Sequence, residues 1–292
     1  MVPAHPDYLF INMDDLRHGS NRENIKPEVE SAENYFFYEG DISLIRDVGK
    51  IFSAYNITDV FHFAAETHVD RSSDQSALFI STNVIGTENL LKVFTGHNCE
   101  GTFMHISTDE VYGEVVPGEI SWTEYSPIEP RNIYSATKAA AEHLVRAYGN
   151  VKGLKYIITR AGNNYGPNQD DSKLVPKMIK KALANEPIEL YGDGSNFRQW
   201  TYVMDHVWGI WACFERGERG EAYNIASGDI MTNNDVVKKI IEVTKSSSPI
   251  VYITDRPGHD IGYSMNCTKL LEHTGYACVV DFETGLENTI TP

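Results

Sequence analysis

The feature that most narrows what this chain can fold into is an alternation of short apolar runs with amphipathic helical stretches, repeated through the first 161 residues. The run YLFINM from Tyr8 reads as a buried strand. Residues 43–55 read as a helix, because Leu44, Ile45, Val48, Ile51, Phe52 and Tyr55 recur at helical period. A strand at 59–65 (DVFHFAA), a long helix over 75–94 and a strand at 102–107 (TFMHIS) follow. An alanine-rich helix over 130–148, entered through proline, leads to a further buried strand at 154–161. Such alternation predicts an α/β protein with a Rossmann-like, doubly wound parallel sheet.

Beyond Gly166 the pattern breaks into shorter pieces: a helix at 173–185, a turn at GDGS and a strand at 197–203. These predict a smaller α+β substrate domain. The expected division is 1–167 and 168–292, with 205–227 returning to the sheet as a helix and the strand AYNIAS.

With 292 residues, 41% of them hydrophobic, the chain can bury a sizeable core. A formal net charge of -16 repels a phosphate backbone, which argues against nucleic acid as a partner. No apolar run approaches the roughly 20 residues that cross a bilayer, and the start MVPAHPDYLF lacks a basic n-region. The expectation is therefore a cytoplasmic protein with no membrane partner. Cys99, Cys213, Cys267 and Cys278 are scattered without metal-ligand spacing, so no metal site is expected.

Ligands of open parallel sheets bind outside the carboxyl ends of the strands. Candidate functional residues stand there in this sequence: Asp14, the segment 64–66, the segment 107–110 and Asn163. Tyr134 and Lys138, four apart in NIYSATKAAAEHL, fall on one helix face. An ammonium beside a phenol favours the phenolate, which can take a proton from a substrate hydroxyl as hydride leaves. Asp109 and Glu110 follow a buried strand. Adjacent carboxyls push their pKa values apart, so one can stay protonated as an acid while the other acts as a base, which is what elimination requires.

At this point the sequence resembles the dTDP-glucose 4,6-dehydratases, which belong to the extended short-chain dehydrogenases. The resemblance rests on Ser107-Thr108-Asp109-Glu110-Val111-Tyr112-Gly113, Tyr134 with Lys138, Asn163-Asn164-Tyr165-Gly166-Pro167 and Asp255-Arg256-Pro257-Gly258-His259-Asp260. Ala64-Ala65-Glu66-Thr67-His68 and Tyr191-Gly192-Asp193-Gly194 add to it. It implies NAD as a recycled cofactor and a nucleotide diphosphate sugar as substrate. Tyr134, tuned by Lys138 and hydrogen-bonded near Thr108, would deprotonate the 4-hydroxyl; Glu110 would remove the C5 hydrogen and Asp109 would protonate the departing 6-hydroxyl. The resemblance further places Asp14, Asp41, Ile42, Ala64 and Ala65, with Tyr134 and Lys138, against the cofactor. It places Asn163, Lys173, Arg198, Arg256 and His259 against the nucleotide-sugar, and it implies a homodimer. The aspartate before Glu110 separates this pattern from relatives that carry small residues there and epimerise. A 4-epimerase, or a silent relative that binds a nucleotide-sugar or partner without turnover, are the alternatives.

The family's first strand, glycine-rich turn and first helix lie roughly 25 residues ahead of Asp14, and thirteen residues precede it here. The expectation is a sheet lacking that strand and loop, an incomplete gene model or fragment, and lost packing at 60–63 and 103–106. Gln199 and Gly262 stand where the family often has aspartate and arginine.

Overall fold

The computed structural model describes residues 1–97, 100–115, 121–255 and 260–291. Strand β1 (Phe10–Asp14) runs parallel to β2 (Tyr35–Glu39), with the short helix α1 (Pro27–Glu30) between them. Helix α2 (Ile45–Ala54) follows and buries Val48, Ile51 and Phe52, the predicted apolar stripe. A second parallel sheet has the order β3-β4-β5-β9, built from Val60–His62, Phe103–Thr108, Tyr156–Ala161 and Ala222–Ile225. Strands β1 and β3 are not hydrogen-bonded to each other, so the parallel sheet is in two parts.

The long helix expected over 75–94 is present and runs without interruption over 76–96, but it changes to π geometry in its middle. After α3 (Val69–Asp74) come α4 (Ser76–Phe79), a π-helical stretch Ile80–Gly86 and α5 (Thr87–Gly96). The wider π turn lets Asn83 and Thr87 point inward together, where Thr87 meets His62 at 2.8 Å. Helix α6 (Ile133–Lys152) is the longest element. Its N-cap, Asn132, forms a capping box with Ser135, and Gly153 closes it in the left-handed region at φ 69°.

The remaining strands form two small sheets. Strand β8 (Phe197–Tyr202) lies between β6 (Asn163–Tyr165) and β10 (Ile230–Thr232), and β7 (Ile188–Tyr191) pairs with β11 (Ile250–Ile253). Helices α7 (Leu174–Leu183), α9 (Asn233–Thr244) and α11 (Phe282–Ile290) enclose them around Val175, Ile188, Trp200, Val236 and Phe282. Helix α8 (Val203–Arg216), with α10 (Thr268–Thr274), packs instead against the four-stranded sheet, and β9 pairs with β5.

The expected loss of packing falls on only one of the two strands. Phe103, Met104 and His105 are fully buried, because β4 lies between two neighbours and is covered on both faces. Phe63, beyond the β3 edge, is 53% exposed.

Candidate active site

Four polypeptide segments converge at the carboxyl end of β4. The strand ends at Thr108, whose hydroxyl caps a 3-10 turn over Asp109–Tyr112 by accepting the Glu110 N–H at 3.3 Å. The turn places Asp109 and Glu110 in succession beside the first turn of α6. Thr108 Oγ1 donates to Asp109 Oδ1 at 3.1 Å and, near the Tyr134 phenol, favours its ionised form. Asn132 Nδ2 donates to Glu110 Oε2 at 2.8 Å. Lys138, one turn beyond Tyr134, donates to the Ile106 carbonyl at 2.6 Å. Tyr134, Lys138 and Asp109 are all buried.

Burial and crowding set the proton affinities. Loss of solvent, reinforced by the charge of Glu110, pushes Asp109 up to about 7, against the pull of Thr108 and Arg198. Burial also raises Glu110, while the Asn132 amide and the Arg198 guanidinium oppose the rise. The two carboxyls therefore differ in their partners: Glu110 has an amide donor, whereas Asp109 Oδ2 has no hydrogen-bond partner among the described residues.

The phenol differs from expectation. Burial and the neighbouring carboxylates raise Tyr134 well above the usual tyrosine range. The lysine ammonium, brought down to about 8 by burial, is turned to the Ile106 carbonyl. Spacing on the helix does put both residues on one face, but the hydrogen bond to the strand fixes which partner the ammonium takes.

Arg198 on β8 reaches the same space. Its guanidinium lies 4.7 Å from the Tyr263 ring centroid and donates to the Asp260 carbonyl at 3.2 Å. Lys173 donates to the Thr67 carbonyl at 3.1 Å, and its charge acts on Glu110. Asn163 begins β6, the neighbour of β8, in register with Trp200. Arg256 and His259 lie outside the described residues.

A separate cleft opens at the carboxyl ends of β1, β2 and β3. Asp14, Ile42, Ala64 and Ala65 line it together with Met13 and Gly40. Asp14 Oδ1 accepts from Leu16 N–H and the Ser20 hydroxyl. Asp41 stands at the rim; burial raises its carboxyl, but hydrogen bonds from Ser43 and an ion pair with Arg17 outweigh this and hold it low. Asn83 joins the cleft to α6. It accepts from Glu66 N–H at 2.8 Å and donates to the Glu66 carbonyl at 3.0 Å and to Thr137 Oγ1 at 2.9 Å.

Sequence reasoning missed Asn83 and Asn132. Asn132 had a legible signal, an asparagine before a helix with serine three residues on. Nothing local announces a π turn. The two departures from the family pattern also have local reasons. Gln199 donates to the Ser227 and Met265 carbonyls and accepts from Met265 N–H, a set that includes donors no aspartate has. The Phe197 ring occupies the place of any side chain at 262, passing 2.0 Å from where a Cβ on Gly262 would lie.

Fold and site together define an enzyme of the nucleotide-sugar dehydratase and epimerase class, built on the extended short-chain dehydrogenase scaffold. The family model described as GDP-mannose 4,6 dehydratase matches residues 4–289. The dTDP-glucose 4,6-dehydratase of Haemophilus influenzae is 39% identical, over 98% of this chain and 90% of its own. DesIV, a dTDP-glucose 4,6-dehydratase from Streptomyces venezuelae solved as a double mutant with NAD bound, superposes with a TM-score of 0.93 at 36% identity, covering 99% of this chain and 89% of DesIV. UDP-glucose 4-epimerase of Thermotoga maritima shares the fold at a TM-score of 0.91 and 30% identity, over 99% of this chain and 92% of that one. The chain belongs to the dTDP-glucose 4,6-dehydratase family.

Proposed function

We propose that this protein converts dTDP-glucose into dTDP-4-keto-6-deoxyglucose and water, with NAD as a recycled cofactor. The observation that carries the reading is the unequal pair at 109 and 110: a buried carboxyl raised to about 7 beside one held by an amide. Elimination needs both an acid and a base. Epimerisation at C4 needs only the tyrosine and lysine and neither of these carboxyls, so a shared fold with an epimerase does not account for the pair.

The residues fit the two ends of the cofactor. Asp14, Asp41, Ile42, Ala64 and Ala65 would hold the adenosine side in the cleft at the ends of β1 to β3. Tyr134 and Lys138 would face the nicotinamide end. When bound, NAD supplies a hydride acceptor that later gives the hydride back.

The chain's own groups manage protons and orientation. Tyr134 takes the proton of the sugar's 4-hydroxyl, with Thr108 fixing the phenol, and Lys138 supplies a positive charge that persists below about pH 8. The 4-keto group acidifies the C5 hydrogen, and Glu110 removes it. Asp109 hands its proton to the departing 6-hydroxyl. Asn163, Lys173 and Arg198, with Arg256 and His259, bind the sugar and diphosphate; the guanidinium and ammonium groups are the local positive charge that a net charge of -16 otherwise lacks.

Residues 1–167 serve as the cofactor-binding part and 168–292 as the substrate part, with 205–227 in the sheet. The protein works as a cytoplasmic homodimer in which the 76–96 and 133–152 helices form a four-helix bundle. Support comes from Ile80 and Ile85, 48% and 46% exposed, and from exposed Ala136, Ala140 and Ala147 on α6. No helix among the described residues is long and apolar enough to cross a membrane.

The test incubates purified protein with NAD and dTDP-, UDP- or CDP-glucose while following the 4-keto product, with NAD binding measured by calorimetry. The reading predicts saturable NAD binding, product from dTDP-glucose, and a fall of at least about a hundredfold in Asp109→Asn. Binding without product from any sugar would leave a silent relative; a 4-epimer made equally well by Asp109→Asn would make it an epimerase.

A further inference from the structure

Asn132 divides one side chain between two tasks. Its Oδ1 accepts the Ser135 N–H at 2.8 Å and so caps α6, the helix that carries Tyr134 and Lys138. Its Nδ2 donates to Glu110 Oε2 at 2.8 Å. The reciprocal bond from Asn132 N–H to Ser135 Oγ, at 3.2 Å, fixes the backbone from which the amide reaches. An asparagine can do both because its amide has an acceptor and a donor on separate atoms. Serine and aspartate cap equally well but offer no such N–H.

We propose that Asn132 is a positioning residue: it clamps the Glu110 carboxylate to the start of α6, keeping the base ionised and at a fixed distance from the phenol. The inference rests on the reading of Glu110 as the base and adds the residue that holds it ready. Because the clamp is anchored in the cap, base and phenol move as one unit.

Other charges reach Glu110, and they do not replace the clamp. Arg198 and Lys173 favour its ionised form; Asp260 and Asp109 oppose it, and Tyr134 and Tyr263 border it. Asn132 is the side-chain donor bonded to a Glu110 oxygen among the described residues.

Asn132→Asp tests this, since it keeps the cap and sets a second carboxylate where the amide was. The direct readout is the titration of Glu110 in protein carrying 13C-labelled glutamate side chains, the signal assigned by its loss in Glu110→Gln. The proposal expects a protein that still folds, with an upward displacement of the Glu110 midpoint by roughly one pH unit or more. A Glu110 midpoint equal to the wild type would overturn it. Should Asn132→Asp fail to fold, Asn132→Ser, which also keeps the cap, must show a smaller displacement in the same direction; no displacement overturns the proposal as well.

Exchange of the C5 hydrogen of dTDP-glucose in deuterium oxide separates this from the reading beneath it. Asn132→Asp should slow the exchange roughly ten- to hundredfold, through kcat more than KM, with its acidic limb moved to higher pH. If Glu110→Gln exchanges C5 as fast as wild type, it is Glu110 as base that fails. If Glu110→Gln is dead while Asn132→Asp exchanges at the wild-type rate and pH, it is the clamp that fails.

Discussion

Asp109 concentrates the conflict between stability and chemistry in one residue. It is 3% exposed, its Oδ2 has no partner among the described residues, and its carboxyl is raised from 3.8 to about 7. The folded chain therefore keeps this proton up to about pH 7, whereas the unfolded chain releases it near 3.8. Protons bound by the folded state exceed those bound by the unfolded state across that interval, so this residue's contribution to stability falls as pH rises through it. Asp109→Asn removes the ionisation. Its melting temperature should exceed that of the wild type by more at pH 8 than at pH 5; an equal difference at both pH values would contradict the raised affinity. The same affinity sets the pH dependence expected of the proposed acid. In the wild type, kcat should decline as pH rises past about 7, and that limb should vanish from the residual activity of Asp109→Asn.

At the scale of the element, α6 is held in rotation by a pair that the reaction does not use. Glu142 lies two turns beyond Tyr134 and one beyond Lys138, on the same helix face. Its carboxylate receives Arg160 Nη2 at 2.6 Å and Nε at 3.0 Å, and both side chains are 1% exposed. Arg160 also donates to the Tyr112 hydroxyl at 2.6 Å, which in turn donates to Asn224 at 2.7 Å. Helix, central strand, active-site turn and β9 are thus tied through one guanidinium. Arg160→Met leaves a buried, unpaired carboxylate, and should cost about 3–5 kcal/mol in urea unfolding. Adding Glu142→Gln should recover part of the loss, since the second change removes the stranded charge. A loss below about 1 kcal/mol in the single variant would show the pair to be dispensable.

For the whole molecule, the division of the parallel sheet sets the order of local opening. Among the described residues, strands β1 and β2 pair only with each other, and every residue of β1 is partly exposed. A lone two-stranded unit is marginally stable, whereas β4 has a partner on both sides and buries Phe103, Met104 and His105 completely. Hydrogen exchange should therefore release the amides of Phe10–Asp14 well before those of Phe103–Thr108. Simultaneous release would mean that the two sheets open as one unit.

Legibility followed the range of the interactions. Helix α2 and strands β4, β5 and β8 were readable because apolar periodicity is local, and the carboxylates, phenol and ammonium were readable because their motifs are contiguous. Strands β7, β10 and β11 escaped because they are short and pair with partners distant in the chain, so no local period marks them.

By itself, the sequence determined the class of fold and the family pattern and supplied the candidate side chains for the proposed chemistry, since these are written in residue type and short spacing. Tertiary structure decided the rest: that Lys138 turns to the Ile106 carbonyl, that a π turn aims Asn83 at Glu66 and Thr137, and that Glu110 receives an amide while Asp109 Oδ2 receives no donor among the described residues. Those outcomes depend on burial and on atoms brought together from separate stretches of chain, and proton affinity responds to that surrounding as well as to sequence neighbours.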